Sequence, residues 1–146
     1  MNTQSLYEKD FYQWTVETAN HLRSKKLNEL DIDHLAEEVE SMGISEIGQL
    51  GSRLEVLIIH LLKWQYQPSY RGRSWNLTIN EQRIRVKRLL KKMPSLKSKL
   101  NDEFQEVYPI AVIRTEKETG LDRKTFPEIP PYTIDQILDD TFYPGE

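Results

Sequence analysis

Two side chains in the middle of this 146-residue chain have the types and the spacing to act on a phosphate. Arg53 and His60 lie seven residues apart, about two helical turns, so on a helix they face the same way. An imidazole titrates near neutral pH and can serve as general acid or base. A neighbouring guanidinium can hold a phosphate or stabilise the charge developing on it. Together they would suffice for metal-independent RNA cleavage. Both belong to a stripe that steps by three and four along the chain: Glu46, Gln49, Arg53, Val56, His60, Lys63 and Gln67. The alternative is that this stripe is the solvent-facing edge of an otherwise buried helix.

The spacing of an arginine, six residues and a histidine resembles the loose signature of HEPN-type helical ribonucleases. The resemblance rests on Arg53, His60 and a helical fold class. It implies a bundle whose site is often built across a dimer.

A second chemistry is suggested by the segment KWQYQPSYRGRSW, residues 63–75. There Trp64, Tyr66, Tyr70 and Trp75 interleave with Lys63, Arg71 and Arg73. Aromatic faces stack on unpaired bases while guanidinium groups hold phosphates, so this composition suits RNA or single-stranded DNA. It equally suits a loop pinned to a core by its aromatics, with arginines stacked on them.

The segment leads into the most basic part of the chain. Residues 71–99 hold ten Lys/Arg and one acidic residue, Glu81, for a net +9. Residues 1–70 carry −5 and residues 100–146 carry −7, so the overall −3 hides a strong asymmetry. Projected on a helix, Trp75, Ile79, Val86, Leu89, Leu90 and Met93 fall in one apolar arc. Arg83, Lys87 and Lys91 form one basic row, and Arg85, Arg88 and Lys92 another. Leu77 and Ile84 lie between the rows and suggest a second contact. The expected phosphate ligands are Arg71, Arg73, Arg83, Lys87 and Lys91, with Tyr70 as a stacking residue, and such binding would weaken with salt. Two alternatives remain. The basic face can pair with acidic helices of the same chain, or it can meet an acidic protein partner or a second copy in a homo-oligomer. A pI of about 5.7 argues against a dedicated DNA-binding protein.

Other chemistries are excluded or unsupported. The absence of cysteine removes thiol nucleophiles, thiolate-ligated zinc, iron–sulfur clusters and disulfides. Gly43 and Gly48 have P-loop spacing, but Gln49 and Leu50 stand where lysine and a hydroxyl residue are needed. His34 and Glu38 are one turn apart, yet no second histidine–carboxylate pair accompanies them, so no metal is expected. His21 falls on an apolar stripe and reads as a packed histidine. No cofactor is implied. The opening stretch MNTQSLYEKDFYQW has no apolar signal core, and the longest uncharged apolar run, Val56–Leu62, is far short of the ~20 residues that span a bilayer. A cytoplasmic protein without a membrane partner is expected.

The elements that must position these residues are helical throughout. Tyr7, Phe11, Trp14, Thr18 and Leu22 predict a first helix over about 7–24. Asp31 or Asp33 is expected to cap a second, interrupted at Gly43, and a third, central helix should run over about 45–67 to Pro68. Ser74 is the expected cap of a helix over about 75–93. Pro94 opens another over about 94–118, which Pro109 should kink or split and Gly120 should end. Thr133 is placed to cap a short helix from Ile134. The whole reads as a single all-α domain, residues 1–146, a compact bundle of four to five helices with a short extended, proline-containing C-terminal tail.

Several separated stretches occur together in order: LYEKDFYQWTVETANHLR, LDIDHLAEEVESMG, HLLKWQYQP, RSWNLTINEQRIRVKRLL, MPSLK and TFPEIPPYTIDQILDDTFYP. They resemble the bacterial family called domain of unknown function 29, abundant in cyanobacteria, over roughly residues 5–144. The resemblance implies an all-α, single-domain bacterial protein and carries no activity, cofactor or catalytic residue with it.

Overall fold

In the computed structural model, which describes residues 3–146, the chain is all-α, with no strand among the described residues. Six α-helices follow one another among the described residues: α1 (Thr3–Lys9), α2 (Phe11–Arg23), α3 (Ile32–Tyr66), α4 (Arg73–Lys92), α5 (Lys97–Thr119) and α6 (Ile134–Leu138). Single 3-10 turns at 27–29, 68–70, 94–96 and 123–125 make the corners. None of these helices is long and apolar enough to cross a membrane. The chain forms two compact units, Met1–Ser45 and Glu46–Glu146, and the boundary falls within α3.

In the first unit, the expected helix over 7–24 is two helices. Asp10 takes a non-helical backbone, and its side chain accepts a hydrogen bond from the Gln13 N–H at 3.1 Å, so it ends α1 and caps α2. Tyr7 sits among aromatic neighbours, edge-on to Phe11 and Trp14 and stacked on His34 at 3.9 Å between ring centroids.

Gly43 does not interrupt α3, which is one helix of 35 residues. A glycine inside a helix costs about 1 kcal/mol against alanine but does not stop it unless the backbone turns left-handed. Among the described glycines only Gly120 and Gly145 have positive φ. Pro68 ends α3 as expected.

In the second unit, the C-terminal half of α3 is the centre of the core. Leu50, Leu54, Leu57, Ile58, Leu61 and Leu62 are fully buried against Ile79 and Val86 of α4, Phe104, Tyr108 and Ala111 of α5, and Ile137 of α6. Each such side chain contributes roughly 1.5–3 kcal/mol by leaving water. Helix α4 starts two residues earlier than its sequence suggests, with Gly72 rather than Ser74 at the cap. Pro109 neither splits nor ends α5. It and Gln105, whose carbonyl it cannot bond, are both exposed, so that carbonyl is open to solvent in place of the missing donor. Gly120 closes α5 in the left-handed conformation at φ 78°. The Thr133–Gln136 capping box starts α6.

Candidate binding groove on helices 3 and 4

The basic stretch is divided by what its two rows face. Arg83 is fully buried. Its Nε donates to the Ile137 carbonyl at 2.7 Å and its Nη2 to the Phe142 carbonyl at 2.6 Å, while the guanidinium lies 5.3 Å over the Tyr143 ring. Burial holds its pKa below the usual guanidinium value, and Tyr143, Asp140 and Asp139 oppose that shift. Lys87, next along the row, pairs with Asp140 at 2.9 Å. Arg71 donates from Nε to the Trp64 carbonyl at 2.6 Å and from Nη2 to the Pro144 carbonyl at 3.3 Å, with its guanidinium 5.6 Å over the Trp64 ring.

Three of the five expected phosphate ligands therefore hold the chain's own C-terminal segment. Arg83 has no surface from which to meet a phosphate, and that expectation is corrected by its burial. Arg71 and Lys87 already have partners. The same segment is fastened by Tyr143, whose ring packs on Trp64 and whose hydroxyl accepts from Asn76 at 2.9 Å and donates to Asn80 at 3.2 Å.

Arg73, at the first position of α4, and Lys91, near its end, are exposed. Tyr70 is 68 % exposed in the turn that precedes α4. None of these three makes an ion pair or a side-chain hydrogen bond among the described residues.

The other basic row borders open space. A groove of about 610 Å³ runs between α3 and α4, lined by Gln49 and Arg53 on one side and by Leu77, Ile84, Arg85, Arg88 and Lys92 on the other. Asn80, Glu81 and Leu89 complete it. Arg53, Arg88 and Lys92 make no ion pair among the described residues, and Arg85 reaches Glu81 at 3.6 Å where both are half exposed. Such an exposed pair contributes little and yields readily to a stronger anion. Leu77 and Ile84 are 53 % and 63 % exposed. The groove joins four cations, one carboxylate and two open aliphatic side chains. It can attract anions and cover apolar surface at the same time.

Arg53 and His60 share a face of α3, but only Arg53 lines this groove. His60 is half-buried, and its Nδ1 donates to the Val56 carbonyl at 2.8 Å, which leaves Nε2 as the basic nitrogen. Burial pushes its pKa down, opposed by the Val56 hydrogen bond and reinforced by Lys63. Lys63 lies 3.6 Å from Glu118 and 5.8 Å over the Trp75 ring.

No group of three or more His, Asp or Glu among the described residues is arranged to hold a metal. His34 is engaged by Asp31, 2.5 Å from its Nδ1, and Glu38 accepts from the Tyr7 hydroxyl at 2.5 Å. Projected on a helix, the sequence separates the row of Arg85, Arg88 and Lys92 and places Leu77 and Ile84 between the basic rows. It could not reveal that the C-terminal segment covers the opposite flank.

The family described as domain of unknown function DUF29 matches residues 6–143. No curated protein and no solved structure matches the chain.

Proposed function

Because the chain belongs to the DUF29 family, which has no assigned activity to transfer, we propose from the site itself that it is a macromolecule-binding module acting through the α3–α4 groove. The observation that carries this is the convergence of Arg53, Arg85, Arg88 and Lys92 on one groove whose only carboxylate among the described residues is Glu81. Cations so placed raise the local concentration of an anionic partner and accelerate its capture, in a salt-dependent way. In this reading the protein is a cytoplasmic helical bundle. The proline-containing C-terminal tail acts as a structural strap and keeps Arg71, Arg83 and Lys87 out of the binding face.

Nucleic acid is one partner class of this chemistry. Exposed Tyr70 beside exposed Arg73 supplies a stacking ring and a phosphate ligand at the N-terminal end of α4, and Lys91 adds a cation near its far end. Metal-independent ribonuclease action would need His60 and Arg53 on one substrate, and the groove reaches Arg53 without reaching His60.

The test is binding of labelled single-stranded RNA and of polyglutamate across a salt series, for the wild type and for Arg85→Glu with Arg88→Glu. At least one polyanion should bind at low salt, weaken steeply as salt rises, and bind about tenfold less to the double variant. Absence of binding at low salt, or an unaffected variant, removes the proposal.

A further inference from the structure

We infer that the occupant of the α3–α4 groove is an acidic amphipathic helix of a partner protein. This rests on the groove being the anion-attracting site proposed above and names the class of its partner. Leu77 and Ile84 are seven residues apart on α4 and more than half exposed, so they form a stripe of the period that a docked helix presents. Arg53, Arg85, Arg88 and Lys92 stand around that stripe. A helix with leucine-like residues on one face and carboxylates beside them would cover the aliphatic pair and meet the cations together.

Other occupants fit less of the groove. No aromatic side chain among the described residues lines it, so an unpaired base finds nothing there to stack on, and phosphates gain nothing from Leu77 and Ile84. Pairing of this groove with the same groove of a second copy would bring two sets of four cations together, which like-charge repulsion opposes. Two helices as side walls suit a third helix. From Leu77 to Lys92 the α4 wall is about 24 Å long at 1.5 Å per residue, room for a partner helix of about four turns.

The experiment compares three labelled probes at low salt. One is a synthetic peptide of about 16 residues with leucines on one helical face and glutamates flanking them. The second is polyglutamate of equal net charge, and the third is single-stranded RNA. The proteins are the wild type, Leu77→Ser with Ile84→Ser, and Arg85→Glu with Arg88→Glu. All four substituted residues are exposed, and matching unfolding midpoints confirm folding. The amphipathic peptide should bind the wild type at least about tenfold more tightly than either other probe, and each double variant should lose about tenfold or more. If polyglutamate or RNA binds as tightly as the peptide, or if the serine variant binds the peptide as the wild type does, the helix assignment fails and the anionic groove stands. If no probe binds, or if the glutamate variant binds all of them unchanged, the groove itself is refuted as an anion site.

Discussion

The Nη2 of Arg83 and the carbonyl oxygen of Phe142 meet at 2.6 Å across 59 residues of chain, at a partly buried position in the second unit. With the Nε bond to Ile137 and a 3.5 Å bond from Nη1 to Asp140, this one guanidinium donates to three carbonyls of the C-terminal segment. A buried acceptor that loses its donor costs about 1–3 kcal/mol. Arg83→Leu should therefore destabilise the protein by about 2–5 kcal/mol, since three carbonyls lose a donor in one substitution. Lys87→Ala removes an exposed ion pair on the same row and should cost about 1 kcal/mol or less. Urea unfolding of the two variants measures the difference. Equal losses would mean that Arg83 is no anchor.

Gly43 and Gly48 sit inside α3 with no atom beyond their chain neighbours and the local helix backbone within 4 Å of the position a Cβ would take. Neither has a left-handed backbone. Alanine at either position should stabilise the helix by up to about 1 kcal/mol through helix propensity alone. Gly51 differs, because a Cβ there meets Glu103 Oε2 at 2.7 Å and Val107 Cγ1 at 3.4 Å. Gly51→Ala must displace the Glu103 carboxyl and should gain less than the other two. Thermal unfolding of the three single variants gives the order. A gain at Gly51 equal to that at Gly43 would contradict the contact with Glu103.

These positions also show where the sequence was legible. Apolar spacing located the helices because burial in water-excluded cores enforces the 3.6-residue period. Pro68, Gly120 and Thr133 marked boundaries through chemistry that acts locally, namely a missing donor, a left-handed turn and a side-chain cap. Gly43 misled because the cost of a helical glycine is small against the packing that carries α3 past it. Asp10 carries no separate signal, because a cap inside an apolar periodicity looks like one more polar position. The two basic rows of α4 are equivalent in sequence. Only tertiary contact with residues 137–143 decides that one row becomes structural and the other stays open. The acidic balance of residues 100–146 hinted at that pairing, but backbone carbonyls, which carry no sequence signature, take most of it.

Lys25 follows α2 with φ 60°, the single non-glycine residue in the left-handed region among those described. The adjacent bonds, Ser24 N–H to Asn20 and Lys26 N–H to His21, close the helix end around it. A side chain in this conformation costs roughly 1–2 kcal/mol, and glycine adopts it freely. Lys25→Gly should raise stability by about 0.5–1 kcal/mol after the extra freedom that glycine gives the unfolded chain is counted. Denaturant unfolding of the variant checks this. A loss would show that the lysine side chain contributes more than its backbone strain costs.

The pair Asp31 and His34 makes the first unit sensitive to pH. The hydrogen bond to Asp31 raises the His34 pKa, against the effect of burial and with help from Asp31, Glu37 and Glu8 charge. The same bond lowers the Asp31 pKa, against its own burial. Tyr7 stacks on the imidazole, and its hydroxyl, pushed up to about 12 chiefly by its bond to Glu38, stays protonated throughout. A raised histidine stabilises the fold fully below the unfolded value of about 6.5, and that contribution disappears as pH climbs through the folded value. A lowered aspartate stabilises above its unfolded value of about 3.9, and that contribution disappears as pH falls through the folded one. The pair is thus worth most between these two unfolded values. The wild type should lose stability from about pH 6.5 upward relative to His34→Gln, which has no imidazole to titrate. Unfolding midpoints of both proteins across pH 5–8, with an NMR titration of the His34 ring, read the effect directly. Parallel curves would show that the charged pair adds nothing to the fold.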